Sequence, residues 1–422
     1  MSHDRITAIR VRGLRSLADV ELDLSSLTVL VGPNGAGKSS IVEACELLRK
    51  AGSEPDFMEK VASAHGGAFA LARWRADKIE LAVEIDGPAG RLRYELELLH
   101  RAPYLELHRE RLDRYADGKL IPLMIRDGDR FWIYRRSGED RGRIIAAGTS
   151  ENPSRVDGIR QLPAHELALS ARVEATDGAP GADLERMSRA LAAIEVHTAV
   201  AVRPPWVSPG ELGARSANVV QGARRLAPSG SNLTNVLLQL KNQRDFGRSL
   251  EDIRLGLGDD IEDLVVRPTT SGGQIVVEVR LRGGRELPLF SLSDGQVAYL
   301  AQVAIAHMER PSPPSLVVID EPDTHFHPKL TVRLAQMIEG ATENFPVLVA
   351  TQSDAFLDAL AEPAAAAVLC ELGPDRETRL LRPDPDTLKA WLIDYDGLGA
   401  LRRSGFDQLV FHDVVRPATD GS

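Results

Sequence analysis

Nine consecutive residues, Gly32-Pro33-Asn34-Gly35-Ala36-Gly37-Lys38-Ser39-Ser40, have the types and spacing of a loop that cradles phosphate. Gly32, Gly35 and Gly37 let the main chain curl so that successive N–H groups point inward. Lys38 has the reach and charge for the β- and γ-phosphates, and the Ser39 hydroxyl suits a magnesium ion. A second chemical group stands far along the chain, Asp320-Glu321 at the end of the apolar run Leu316-Val317-Val318-Ile319. Asp320 is placed to hold magnesium, directly or through water, and Glu321 is placed to polarise an attacking water. The third group is Leu292-Ser293-Asp294-Gly295-Gln296, whose serine and glycine at a helix start offer another phosphate-facing surface. Read singly, these are a glycine-rich turn, a buried strand with an acidic end, and a capped helix. Read together, they imply binding and hydrolysis of a nucleoside triphosphate.

Such residues need rigid elements to aim them. The apolar run 27–31 delivers the loop from a buried strand, and the pattern over 38–50 predicts a helix whose positive dipole end faces the phosphates. Strands are expected over 5–11 and 18–24, then a hairpin over 79–86 and 91–99, then short β pieces through 104–147. That succession is a β-meander. Residues 148–160 read as a loop, 163–197 as helical, 203–210 as extended and 231–254 as helical with Ser231-Asn232 as the cap. A second hairpin (274–281 and 285–290), a helix over 294–309, strands over 315–319 and 345–350 and a helix from Pro328 complete the pattern. Strand, helix, strand indicates a parallel core sheet. Its first strand is near residue 30, so the site is assembled from both ends of the chain.

The chain has 422 residues, enough for two or three domains, with 43% apolar and 27% charged residues. The formal net charge of −10 argues against broad, charge-driven nucleic-acid binding but leaves room for a local basic groove. No twenty-residue apolar span predicts a membrane helix, and the first residues lack the apolar core of a signal peptide. The two cysteines, Cys45 and Cys370, fall in an apolar helix and an apolar strand, which reads as core packing in a reducing cytoplasm.

Glu321 is followed by Pro322-Asp323-Thr324-His325-Phe326-His327-Pro328, and later come Ala350-Thr351-Gln352-Ser353. On these motifs the chain resembles ABC-type ATPases of the RecF/SMC-like branch. More narrowly, it resembles the stand-alone AAA-like ATPases related to the N-terminal half of OLD-family proteins. Residues 292–296 match the LSGGQ signature, with Asp in the third place. Arg12-Gly13-Leu14-Arg15-Ser16 resembles the GFRS turn of that group, and Gly230-Ser231-Asn232-Leu233 resembles its GxNL helix entry. The likeness covers roughly residues 5–60 and 225–400 and is weak between 100 and 225.

The resemblance implies an α/β fold, a P-loop NTPase head of the ABC type. It would have a mixed β-meander lobe plus a parallel core sheet, a helical insertion and no long coiled coil. The expected division is an N-terminal ATPase lobe (1–160), a mainly helical insertion or lid (161–270) and a C-terminal ATPase lobe (271–422). Arg12 or Arg15 would lie near the base or phosphates, Asp323 and His327 would belong to a D-loop at a dimer interface, and Gln352 would occupy the switch position. ABC transporters usually carry histidine there; glutamine can hydrogen-bond but cannot become cationic. Asp323 keeps the charge of the more usual glutamate with a shorter reach. In such folds Ser293 and Gly295 cannot reach their own ATP. The implied unit is therefore a homodimer, open to higher assembly, that closes head to tail over ATP and Mg2+. About seventy residues follow Gln352, too few for the Toprim domain of OLD nucleases, so a separate effector such as a Toprim-like nuclease is expected. The tail from Leu388 to Gly399 resembles the closing segment of ATPases encoded beside such a protein, which are associated with antiphage defence. The alternative is a RecF-like DNA-binding ATPase in repair.

Other constellations carry less. His325 and His327 could suggest a metal pair, but no third ligand is spaced to complete it. Asp394 and Asp396 read as turn residues. Arg109, Arg111, Arg126, Arg130, Arg135, Arg136, Arg141 and Arg143, with Trp132 and Tyr134 between them, could form a nucleic-acid surface. The acidic residues in the same stretch suit a salt-bridged β-surface equally well. Gln161 has no context to mark it as a Q-loop residue.

Overall fold

Five strands of the core sheet are parallel, and the phosphate-loop strand lies inside it. The computed structural model describes residues 3–101, 104–128, 130–135, 143–149, 166–169, 180–203, 213–269, 273–324, 326–406 and 410–413. The core sheet runs in the order Ile194–His197, Leu316–Asp320, Val347–Thr351, Leu27–Val31, Ala367–Leu372, Thr378–Pro383 and Phe411–Asp413. The first five are parallel, and the last two add antiparallel at one edge. Continuous Val, Leu and Ile runs suit strands covered on both faces. Leu27–Val31 and Val347–Thr351 are buried at every position.

Alternation along each strand divides the interior into two cores. Leu30, Val318, Leu348, Ala350 and Val368 face one core, which is filled by the helix Lys38–Ser53 and the second sheet. Val29, Val31, Val317, Ile319, Val347 and Val349 face the other, filled by the helices Leu233–Lys241, Asp294–His307 and Pro328–Ala341. The second sheet has eight antiparallel strands in the order Leu17–Asp23, Arg5–Leu14, Lys78–Asp86, Leu92–Arg101, Tyr104–Ala116, Lys119–Asp127, Arg130–Arg135 and Arg143–Thr149. This is the expected meander. A small third sheet joins Asn218–Val219, Gln274–Leu281, Ile261–Pro268 and Glu286–Pro288. The longest helix among the described residues, Lys38–Ser53, has 16 residues, so these residues hold no long coiled coil. None of their helices is long and apolar enough to cross a membrane.

Two readings of the middle region need correction. The helical pattern expected to run through 197 stops at Ala192, and Ile194–His197 is a strand at the edge of the core sheet. Its pairing with Leu316–Ile319 overrides the local helical pattern. The helix expected over 231–254 is two helices, Leu233–Lys241 and Phe246–Leu257, separated by a polar break at Asn242-Gln243-Arg244-Asp245. Asn232 precedes the first of these but does not cap it with its side chain. Its amide instead clasps the preceding loop, accepting from Ala227 N–H (2.8 Å) and donating to the Arg225 carbonyl (2.9 Å). The loop read from 150 onward, most of the helical pattern before 180 and the extended residues 204–210 lie outside the described residues, as do Arg136, Arg141, Gln161 and His325.

Candidate nucleotide site

Register brings three chemical groups to neighbouring strand ends. Thr351 pairs with Val31, and Asp320 pairs with Ala350. Gly32, Gln352 and Glu321 therefore leave the sheet side by side at its C-terminal edge, where open α/β sheets take ligands. The loop is pressed close to its surroundings. A Cβ at Gly32 would stand 2.2 Å from the Cys370 carbonyl oxygen. At Gly37, where φ is +99°, one would stand 1.9 Å from Thr378 Oγ1 and 2.8 Å from Ser16 Oγ. Gly37 also offers no side-chain acceptor to the first turn of Lys38–Ser53, leaving that helix end open to an anion.

Lys38 is 5% exposed. Its ammonium donates to the carbonyls of Gly32 (2.8 Å) and Pro33 (3.1 Å) and lies 4.0 Å from Glu321 Oε1. Burial pushes the Asp320 carboxyl up from its ordinary range, opposed by a hydrogen bond from Ser39 and the charge of Lys38. Asp320 Oδ1 is buried without a hydrogen-bond partner. An unsatisfied carboxylate oxygen beside a hydroxyl is a hard-oxygen donor set, which fits magnesium.

Glu321 adopts a left-handed backbone, φ +49°, with its N–H on the Ala350 carbonyl (2.7 Å). A non-glycine residue there carries about 1–3 kcal/mol of strain, held in place by the sheet. Burial raises its pKa, Lys38 opposes this, Asp323 and Asp320 add to it, and the main chain of Gln352 lowers it. Gln352 thus meets Glu321 through its backbone. Thr351 Oγ1 donates to Asp323 Oδ1 (2.8 Å) and accepts from Ser353 N–H (3.0 Å), and Ser353 caps the helix Asp354–Asp358. His327 caps Pro328–Ala341 through Nδ1, and the described residues hold no cluster of three metal-ligating side chains.

Ser293 and Gly295 lie at the start of Asp294–His307. Ser293 and Gln296 form a reciprocal capping box: Ser293 Oγ accepts from Gln296 N–H (3.2 Å), and Gln296 Oε1 accepts from Ser293 N–H (2.9 Å). The arginines of the first turn are engaged with carboxylates. Arg15 is held by Glu43 (2.8 and 2.9 Å) and the Ala70 carbonyl (2.6 Å), and Arg12 by Asp19 (2.7 Å) and Glu80 (3.4 Å). Along the meander, Arg111 pairs with the buried Asp113 and Arg114 with the buried Asp183, while Arg126 and Glu110 form a pair inside the protein rather than on its surface. The side chains of 130–135 and 143, Trp132 and Tyr134 among them, lie outside the described part. The Thr351–Asp323 contact, the grip of Arg215 on Asp294 and the Ser16–Thr378 hydroxyl pair (2.8 Å) were not expected from the sequence.

Parts of the chain match known protein families. Residues 206–358 match the family model "AAA domain, putative AbiEii toxin, Type IV TA system", and residues 5–85 match "AAA ATPase domain". An OLD nuclease of Thermus scotoductus is 48% identical over 40 residues, which cover 10% of this chain and 8% of that protein. The SMC head domain from Thermotoga maritima aligns over 90% of this chain and 99% of its own, at 15% identity and a TM-score of 0.42. The Smc head domain with an extended coiled coil, bound to the C-terminal domain of ScpA and derived from Pyrococcus furiosus, aligns over 93% and 99%, at 14% identity and a TM-score of 0.47. The two matched segments, both ATPase domain models, carry the phosphate loop on one side and the signature, Asp320-Glu321 and Gln352 on the other, and the chain resembles ABC-type ATPases of the RecF/SMC-like, OLD-related group.

Proposed function

We propose that two copies of this chain close head to tail over ATP and magnesium, and that hydrolysis opens them, switching a separate effector. The observation that carries this reading is a division. Lys38, Ser39, Asp320 and Glu321 converge at one sheet edge, while the exposed Ser293 stands on another helix with its cap bonds inside its own turn. In this reading a serine from a second copy completes the site. In this reading the N–H groups from Asn34 to Ser40 bind the phosphates, and Lys38 leaves the Gly32 and Pro33 carbonyls for the β- and γ-phosphates. Glu321 orients and polarises the water, with the Gln352 main chain beside its carboxylate. Ser39 and Asp320 hold magnesium, which when bound offsets charge on the transferring phosphoryl group. Asp323, locked by Thr351, and His327 lie toward the partner copy.

The route to an effector runs through the helix Asp354–Asp358, which follows Gln352. Asp354 pairs with Arg402 (2.5 Å) and Asp358 with Arg403 (3.0 Å), so the C-terminal segment is tied to the switch. A Toprim-like nuclease acting with this ATPase in the bacterial cytoplasm, in antiphage defence, is the effector this reading favours. The OLD likeness supports it.

Replacing Ser293 with Arg tests the pairing. ATP should still bind, turnover should fall at least about tenfold, and the ATP-dependent dimer should disappear in light scattering. Turnover that persists and is independent of protein concentration would refute the head-to-tail site. The metal assignment has its own test. Asp320→Asn should cut turnover roughly a hundredfold, the loss of about 3 kcal/mol of charge stabilisation, and chelation should silence the wild type. Unchanged magnesium dependence in Asp320→Asn would remove Asp320 from the metal site.

A further inference from the structure

We infer that Arg215 is the positioning residue that presents Ser293 to the nucleotide of a partner copy, and that it explains the aspartate in the third place of the signature. This rests on the head-to-tail reading above. Arg215 has 2% of its side chain exposed, yet it stands in no regular element. Its Nε donates to the Val202 carbonyl (2.6 Å), and its Nη1 donates to the carbonyls of Leu289 (2.6 Å) and Leu292 (2.8 Å). Its Nη2 donates to Asp294 Oδ1 (2.6 Å). Leu292 and Asp294 flank Ser293, so one planar guanidinium grips the chain on both sides of the serine. Arginine suits this task, because its fork directs several donors at fixed angles.

The segment that carries Arg215 is itself anchored. Ala214 N–H donates to the Ala201 carbonyl (2.9 Å), Thr234 Oγ1 donates to the Ser216 carbonyl (3.1 Å), and Asn218 Nδ2 donates to the Ser231 carbonyl (2.7 Å). A rigid mount is what a presenting residue needs.

Asp294 is 42% exposed along its side chain and adjoins the residue that would meet a phosphate. An unpaired carboxylate there would repel the nucleotide. The Arg215 guanidinium neutralises it at hydrogen-bond distance and turns a hostile charge into a brace. Ser293 Oγ accepts from Gln296 N–H, which leaves its hydroxyl hydrogen to donate outward to a phosphate oxygen. In this arrangement Arg215 never touches the substrate; it fixes the group that does.

The test separates a role in the partner's site from a merely structural one. Arg215→Gln, and Arg215→Lys as the variant that keeps the charge, should each bind ATP normally but turn over at least about tenfold more slowly. Either variant is then mixed in equal amounts with Glu321→Gln before ATP is added. In a mixed dimer the Arg215 variant keeps an intact phosphate loop and Glu321, and its partner supplies an intact signature. Half of the dimers are mixed and each has one working site, so turnover should rise above that of either variant alone, to at most about a quarter of wild type. Should Arg215→Gln fail to fold, Arg215→Lys carries the same measurement. A mixture that stays silent although Glu321→Gln forms its ATP-bound dimer would overturn the role of Arg215 alone. Absence of that dimer would overturn the head-to-tail reading itself. Full activity of Arg215→Lys without a partner would also sink the inference.

Discussion

Glu321→Gln is expected to lower ATP turnover by about 10²–10⁴-fold while leaving ATP bound and the dimer closed. The substitution keeps shape and removes charge. In the protein as it stands, the Glu321 carboxyl is crowded by Asp320 and Asp323 and sits 4.0 Å from the Lys38 ammonium. Its backbone is held at φ +49° by the N–H bond to the Ala350 carbonyl. That placement fixes where the side chain points without depending on the side chain's own contacts. Glutamine can therefore occupy the same position, but it cannot accept a proton from water. It also removes a carboxylate that would repel the γ-phosphate, so the closed state gains stability as the chemistry is lost. Single-turnover kinetics would give the first effect, and light scattering with ATP the second. Wild-type turnover in this variant would show that another group orients the water.

The parts of the site that were legible in the sequence share one property: each is local. The phosphate loop, the signature and Asp320-Glu321 each occupy a short stretch whose element can be read from its own pattern. Thr351 was not legible in this way, because its role depends on Asp323, which lies 28 residues earlier. Ser16 and Thr378 meet across 362 residues, and nothing near either one marks the meeting. Arg215 lies in an irregular stretch where a buried arginine leaves no periodic trace. A signal did exist, since an aspartate inside a motif expected to face phosphate calls for a cation, and none of its immediate neighbours supplies one. The fold was legible wherever strand runs were apolar throughout or alternated cleanly. It was misread at 194–197, where a four-residue strand directly follows a helix and only its pairing with Leu316–Ile319 reveals it.

That edge strand also carries the largest expected effect on stability. Arg310→Met should destabilise the protein by about 3–5 kcal/mol, because it strands a buried carboxylate. Arg310 grips Glu195 with two hydrogen bonds of 2.8 Å, and the two side chains are 5% and 10% exposed. His197 Nε2 lies 3.4 Å from the same carboxylate, and the Arg310 guanidinium sits over the Phe345 ring. Burial alone would raise the Glu195 pKa, but the hydrogen bonds from His197 and Arg310 outweigh it and hold the group at about 2. A folded pKa below the ordinary 4.5 means that the ionised pair stabilises the fold above about pH 4.5. That contribution, about 3 kcal/mol for a shift of this size, is lost as pH falls from about 4.5 toward about 2. In Arg310→Met the carboxylate keeps its burial and loses its arginine partner, so the Tm should drop at neutral pH and fall less steeply on acidification. Glu195→Gln combined with Arg310→Met should recover part of the loss, because no buried charge remains unpaired. Calorimetric Tm values between pH 3 and 7 would decide the matter, and superimposable wild-type and Arg310→Met profiles would defeat it. The effect should also reach the chemistry: Glu195 sits opposite Val317, three residues before Asp320 on the strand that aims the carboxylate proposed to hold magnesium. Loosening the edge should therefore weaken magnesium-dependent turnover in the folded variant before it changes ATP binding.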